Sequence, residues 1–450
     1  MNSHNSPRSG PLPVLQDEIK SVSFQTLGCK LNRSETDAIA AEFAARGYRL
    51  VPFKEPADLA VINTCTVTGE ADAKSRQAIS RAARLSGAKW VVAMGCYTQM
   101  HAGEAAAIDG VDVVLGSGNK FDVLSLVDEL PQATADGPLV LVTPYGEQRQ
   151  FDDTPFISAT SRTRAFLKVQ DGCDFACSYC IIPSARGGSR SRPLESCLRE
   201  ARQLVARGYT EAVLTGVNIG DWRAGESRFD DLLDAISRVE GLRRIRVSSI
   251  EPNLVTRRTL ALMAERDNIC PHLHIPLQHS SDKVLKAMRR RYTWGDYQRI
   301  AQLALETVPD LAIGADVITG FPGETEEDFE HLARALGDLP AAYYHIFRYS
   351  EREGTLATAL AGRVEPQERK RRSDILRQIG ERRRAEYARG YLRQTRPVLF
   401  ESESSAGVWS GLTDNYLRVL APATDDLSAR YMPVTLTRFS GGIVTGKLAA

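Results

Sequence analysis

No stretch of about 18 or more apolar residues, the length a membrane-crossing helix needs, occurs in the 450-residue chain. The opening segment, MNSHNSPRSGPLPVLQDEIK, has three prolines and no apolar core of the kind a signal peptide carries. It reads as a disordered lead-in over 1–20, and the chain is expected in the cytoplasm, with no membrane partner. There cysteines stay reduced and serve metals or catalysis rather than structural disulfides. The turn GFPGE at 320–324 lacks the Gly-x4-Gly-Lys-Ser/Thr spacing, which argues against a nucleoside-triphosphate loop. Charge of one sign is also lacking overall, since the net charge is +1. It is unevenly spread, however: residues 368–397 hold 11 Lys and Arg against 4 Asp and Glu. A solvated helix face is one reading of that run, and a phosphate-contacting surface is the other.

What is present is an ordinary globular composition, 43% hydrophobic and 25% charged, long enough for two or three domains of ~150 residues. Over 21–145 apolar strands (VSFQTLG, DLAVINT, KWVVAMG, VDVVLGS) alternate with helical stretches, one from Ser34 through Arg46 with Asp37 placed for a capping box, another from about Glu70 to Leu85. This predicts a parallel α/β sheet. Residues 146–164 are polar and irregular and read as a linker. From Ala165 the alternation restarts with six strand candidates (AFLKVQ, EAVLTG, RIRVSSI, HLHIPL, IGADVITG, YYHIFRY). Six units suggest an incomplete (β/α) barrel, because a full eight-unit barrel needs ~250 residues. The tail from about Gly390 has short alternating strands between Gly, Ser and Asp turns, which suggests a small antiparallel barrel of oligonucleotide-binding shape.

Two cysteine patterns carry chemistry. Cys173-x3-Cys177-x2-Cys180 lies on a loop after the first barrel strand, at the face where barrel active sites sit. Three close thiolates can hold three irons of one cubane and leave the fourth iron open. The competing reading is structural zinc, which usually takes four ligands; no fourth Cys or His lies near. The second pattern is dispersed. Cys29, Cys65 and Cys96 are 36 and 31 residues apart, yet each follows the carboxyl end of a strand candidate. In a parallel sheet those ends share one edge, where ligands bind. Either the three converge as a second thiolate trio, or they are unrelated buried cysteines. Cys197 and Cys270 have no partner pattern and read as packing residues.

With GCKLN at 28–32, NTC at 63–65, GCYTQ at 95–99 and the 173/177/180 spacing, the chain resembles the radical S-adenosylmethionine (SAM) methylthiotransferases over nearly its whole length. GCKLNRSETD, SSIEP at 248–252, RRRYT at 289–293, YSEREGTLA at 349–357 and GLTDNYLRV at 411–419 look most like the MtaB branch of that family. MiaB-type members, acting on isopentenyladenosine, tend to GCQMN, and RimO-type members, acting on a ribosomal-protein aspartate, to GCPKN. The resemblance implies an N-terminal cluster domain (21–145), a radical SAM core (165–388) and a C-terminal TRAM domain (389–450). It implies two [4Fe-4S] clusters, one on Cys173, Cys177 and Cys180 that chelates SAM and one on Cys29, Cys65 and Cys96 that supplies sulfur. The implied reaction is methylthiolation of C2 of N6-threonylcarbamoyladenosine at position 37 in a tRNA anticodon stem-loop, with a flavodoxin- or ferredoxin-type electron donor and a sulfur source as partners. A non-catalytic iron–sulfur electron carrier is the reading from a different class; such carriers use four cysteines per cluster.

Strand ends nominate SAM contacts at Thr215 and Gly216, Glu251, Gln278, and the turn from Asp316 to Gly320, although TGVN stands at 215–218 where the wider superfamily carries Gly-Gly-Glu. Arg186 is expected to face substrate or SAM, or to make a structural salt bridge. His272 and His274 share a strand face and, with His279 nearby, are either metal ligands or hydrogen-bonded interior residues.

Overall fold

The structure, a computed structural model, describes residues 19–85, 87–130, 134–144, 151 and 163–449. The lead-in expected over 1–20 and the linker over 146–164 fall almost entirely outside them. No helix among the described residues is long and apolar enough to cross a membrane.

The first sheet has six parallel strands in the spatial order Arg49–Val51, Ser21–Thr26, Leu59–Thr64, Trp90–Gly95, Val113–Leu115, Leu139–Leu141. Every residue of Leu59–Thr64 is buried, as expected of a central parallel strand covered on both faces. The chain leaves Ser21–Thr26 toward one side and returns on the other, so the strand order reverses between Ser21–Thr26 and Leu59–Thr64. The intervening helix begins at Lys30, a turn earlier than expected, because Cys29 in extended backbone occupies the cap position. Ser34 is therefore inside the helix, where its hydroxyl donates back to the Leu31 carbonyl at 2.8 Å and Asp37 pairs with Arg33 at 3.1 Å.

Six further parallel strands follow: Arg164–Lys168, Glu211–Thr215, Arg244–Val247, His272–His274, Ala312–Thr319 and Tyr343–Arg348. Ladders join the first three and the last three, and single bridges at Ile245–Ile269 and Ser249–His274 join the two groups. The result is an open barrel, with Thr293/Asp296 and Thr325/Asp328 capping boxes starting two of its outer helices. Its core includes Cys197 and Trp222, both fully buried, and Cys270 is buried beside it. The helix Pro366–Gly390 leads into a closed five-stranded barrel, ordered Thr395–Ser405, Val408–Thr413, Arg418–Pro422, Ile443–Leu448, Tyr431–Ser440. Its pairs are antiparallel except Arg418–Pro422 with Ile443–Leu448, and Val408–Thr413 is a strand the alternation pattern did not single out. The two barrels are joined by Arg244, which donates to the carbonyls of Leu412 (3.0 Å) and Pro397 (2.6 Å), and by Arg246, which donates to that of Asp414 (2.9 Å).

Trp222 fills the open barrel's core and donates its indole N–H to the Arg192 carbonyl at 2.9 Å. Trp222→Ala should lower the unfolding free energy by about 3–5 kcal/mol, read from urea denaturation of cluster-free protein.

Candidate active site

Cys29, Cys65 and Cys96 follow the three adjacent strands Ser21–Thr26, Leu59–Thr64 and Trp90–Gly95 at their carboxyl ends. Two glycines make the approach possible. Gly28 has φ +92°, and a Cβ there would lie 2.7 Å from both the Cβ and the Sγ of Cys65. Gly95 has φ +113°, and a Cβ there would lie 2.6 Å from Asn63 Oδ1. Only glycine fits both the conformation and the space. Burial pushes the Cys65 thiol up to about 11, with Cys96 and Cys29 adding to the rise. Cys65 is thus close enough to both other cysteines to be repelled by them as thiolates, and a cation is what would relieve that repulsion. Cys65 also lines a cavity of about 600 Å³ together with Val67, Phe347 and Tyr349.

The second trio sits on the loop after Arg164–Lys168. Cys180 N–H donates to the Cys177 carbonyl at 3.1 Å, and Cys173 Sγ accepts the Phe175 N–H at 3.4 Å. Burial raises Cys173 to about 11 and Cys180 to about 12, each reinforced by neighbouring cysteine charge. Arg290, from the RRRYT run, donates to Cys177 Sγ at 3.1 Å and pairs with Glu251. Sequence reasoning placed that run only as a family marker; its basic character was the available signal. Both donor sets suit soft metal centres, since each offers three thiols free of disulfide bonds.

Between the trios lies a buried knot of charge. Arg186, on the helix just after Cys180, reaches Glu35 (2.9 Å) and Asp171 (2.9 Å), and Lys168 reaches Glu35 (2.9 Å) and Asp171 (2.8 Å). Lys120 also pairs with Glu35. Arg186 donates further to Asn32 Oδ1, and Asn32 sits 3.9 Å from Cys96 Sγ. Burial works against the Glu35 carboxylate, but Arg186, Lys120 and Lys168 together hold its pKa well below the usual range. Three cations face two carboxylates here, with Arg190 at the edge 3.8 Å from Asp171, which leaves positive charge beside Cys65 and Cys96. Arg186 is therefore a structural ion-pair residue. Glu35, Asn32, Lys168 and Asp171 had no motif signal in the sequence: Glu35 meets partners 85, 133 and 151 residues away, and the three-residue step from Lys168 to Asp171 marks nothing by itself.

Thr215, Gly216 and Gly320 lie at strand ends of the open barrel and Glu251 and Gln278 in the loops just past two others, whereas Asp316 lies inside Ala312–Thr319. Glu251 is close enough to Cys173 to raise its thiol further. A Cβ on Gly216 would meet the Gln170 carbonyl and side chain at 2.9 Å, and the Thr215 hydroxyl is spent on Val213 O at 2.9 Å. Gln278 adopts φ +61° and is pinned to the strand Ala312–Thr319 by N–H donation to Asp316 O at 2.8 Å. Gly320 is turned away toward Arg369, and its N–H donates to Glu324 Oε2 at 2.7 Å. Glu324 thus satisfies the GFPGE turn from within and is itself held by Arg372 at 2.7 Å. In TGVN the missed residue is Asn218: both its amide atoms are buried without a partner among the described residues, as is the Ser248 hydroxyl. Orphaned buried polar groups of this kind fit a polar ligand at these strand ends.

His272 and His274 do share a face, both reaching the Tyr343 hydroxyl (2.9 and 3.3 Å). His279 is elsewhere, facing Glu324 at 3.6 Å. The third imidazole beside His274 is instead His345; both hold Asp316, at 3.0 and 3.2 Å. The basic run divides. Arg369, Arg371 and Arg372 are committed to Glu351, Glu326, Glu368 and Glu324, whereas Arg382, Arg384, Arg389 and Arg393 are exposed.

Residues 167–336 match the model of the radical SAM superfamily, and residues 21–116 match that of an uncharacterized protein family, UPF0004. The chain is 38% identical over 427 residues to the threonylcarbamoyladenosine tRNA methylthiotransferase MtaB of Bacillus subtilis, covering 93% of this chain and 94% of that protein. It is 36% identical to the MtaB of Aquifex aeolicus, covering 88% and 96%. A tRNA-2-methylthio-N(6)-dimethylallyladenosine synthase of Methylacidiphilum infernorum is 30% identical, covering 94% and 93%. Among solved structures, the radical SAM methyltransferase TsrM of Kitasatospora setae aligns with a TM-score of 0.54 at 16% identity over 74% of this chain and 72% of that one, a likeness of fold.

Arg186→Met would leave Glu35 and Asp171 short of a buried partner. Denaturation of cluster-free protein should register a loss of about 3–5 kcal/mol.

Proposed function

We propose that this chain, which belongs to the radical SAM methylthiotransferase family, methylthiolates C2 of N6-threonylcarbamoyladenosine at position 37 of tRNA. The observation that carries the reading is the convergence of two separate thiol trios across one buried charge knot. It is joined by the naming of relatives 34–38% identical as enzymes for this nucleoside. An electron carrier needs neither trio to be open nor a second barrel.

In this reading Cys173, Cys177 and Cys180 hold the [4Fe-4S] cluster that binds SAM, and Cys29, Cys65 and Cys96 hold a second. Bound there, the clusters and SAM would supply the electron, the radical and the sulfur that replacing an aromatic C–H by C–S requires, which side-chain acid–base chemistry cannot provide. The chain's own residues then bind and orient. Arg290 places positive charge on Cys177 and fixes Glu251. Asn218 and Ser248 offer free polar atoms to SAM, alongside Glu251, Gln278 and the Thr215–Gly216 turn. The unit over 21–145 serves as the cluster domain, 165–388 as the radical SAM core and 389–450 as a TRAM-type RNA-binding unit. Exposed Arg382, Arg384, Arg389 and Arg393 would neutralise phosphates of the anticodon stem-loop, leaving the loop base splayed into the cleft. A flavodoxin- or ferredoxin-type donor, a sulfur source and a cytoplasmic location complete the proposal.

Deleting the gene in its host should abolish 2-methylthio-N6-threonylcarbamoyladenosine in digested tRNA, read by mass spectrometry. Loss of the dimethylallyl product instead would transfer the assignment to the other branch. Oxygen-protected protein should carry about eight irons, and the Cys29/Cys65/Cys96→Ala variant about four. That variant should still form 5′-deoxyadenosine from SAM and dithionite while making no methylthiolated RNA. Gly28→Ala, which forces a Cβ into Cys65, should lose iron in the same way.

A further inference from the structure

Lys30 immediately follows Cys29, and its side chain is exposed at the edge where the amino-terminal thiols gather. Its neighbours are matched: Arg33 with Asp37 at 3.1 Å, Lys120 and Lys168 with Glu35, and Arg246 with Glu211 at 3.1 Å. Lys30 has no carboxylate partner among the described residues. Its ammonium lies instead 6.0 Å from the ring centroid of Tyr416.

Tyr416 belongs to the small C-terminal barrel, almost four hundred residues away, on the turn TDNYL between Val408–Thr413 and Arg418–Pro422. It holds φ +70°, a conformation rare for an aromatic residue. The turn is locked around it. Thr413 Oγ1 donates to Asn415 Oδ1 at 2.6 Å and accepts the Leu417 N–H at 2.8 Å, while Arg396 holds Asp414 at 3.0 Å. The strained backbone aims the ring into the open barrel, where it stacks on His272 (4.2 Å) and Tyr343 (5.5 Å). Strain kept in place by its surroundings marks a functional position. The surface so formed is an aromatic floor with Lys30 at one rim; Arg246, 5.2 Å from the Tyr416 ring, is spent on Glu211, and Arg384 lines the other side of the floor together with Glu381. Burial first, then Arg246 and Lys30, keep His272 neutral, its pKa well below the ordinary value, so the local field already favours an incoming anion over another cation. Asp316, on the strand beside Tyr343, is covered by His274 and His345.

We infer that Lys30, set against Tyr416, is a specificity-determining subsite that pairs with the carboxylate of the group carried on N6 of the target adenosine. The inference rests on the threonylcarbamoyl reading above, because that group ends in a carboxylate and a dimethylallyl group does not. A charge-assisted hydrogen bond of this kind is worth about 10- to 100-fold in kcat/KM.

The test uses the holoenzyme with anticodon stem-loop RNA bearing threonylcarbamoyladenosine, and the same RNA with the threonyl carboxylate converted to its amide. Wild type should prefer the acid by about 10- to 100-fold. Lys30→Gln, checked for unchanged iron content, should bring the acid-to-amide ratio to about one, and Lys30→Arg should keep the preference. Equal use of acid and amide by wild type overturns the subsite while leaving the proposed function standing. If Lys30→Gln slows both RNAs equally, Lys30 acts on a phosphate or on the neighbouring thiols, and the subsite is likewise overturned. If neither RNA is methylthiolated but dimethylallyladenosine RNA is, the function and the subsite fall together.

Discussion

The interaction on which the rest depends is the five-residue charge knot of Glu35, Lys120, Lys168, Asp171 and Arg186. It lies where the helix after Cys29 meets the loop that carries Cys173. Burying so many charges is a poor way to gain stability, because desolvation offsets most of the Coulomb attraction. What the knot supplies is position. Glu35 cannot leave Arg186 without stranding a buried charge, so the two thiol sets cannot slide past one another. The excess of cations also leaves a positive field beside Cys65 and Cys96, as Arg290 does beside Cys177, which suits metal centres built on negatively charged thiolates.

Two further contacts extend that rigidity. Arg352 reaches Asp72 at 2.6 Å and Thr66 at 2.8 Å, tying the loop after Cys65 to the far end of the open barrel. Arg244 and Arg246 lock the five-stranded barrel underneath. All three units therefore meet at Tyr416: Lys30 from the first, His272 and Tyr343 from the second, and Tyr416 itself from the third. Recognition of an RNA loop and a demanding carbon–sulfur bond formation can then share one rigid frame, as preorganised sites require.

Much of this was legible from residue order. Continuous apolar runs alternating with helical stretches marked both parallel sheets, and the position of each cysteine just past a strand was enough to predict that Cys29, Cys65 and Cys96 share an edge, because parallel strands align their carboxyl ends. Local spacing alone grouped Cys173, Cys177 and Cys180. Short strands such as Arg49–Val51 at a sheet edge and Val408–Thr413 in the closed barrel were missed because three to six residues carry too little periodicity. The start of the first helix was misplaced because Ser34 and Asp37 mimic a cap while Cys29 holds that position.

Residue order by itself therefore determined the architecture and the six thiols, since both follow from patterns within a few tens of residues. Only the tertiary structure decided what surrounds them. That Arg186 serves Glu35 rather than a ligand, that Arg290 touches Cys177, that Asn218 is left without a partner, and that Tyr416 meets Lys30 are all consequences of long-range packing. Such pairings depend on where separate chain segments come to rest against each other, and no local pattern of side chains encodes that.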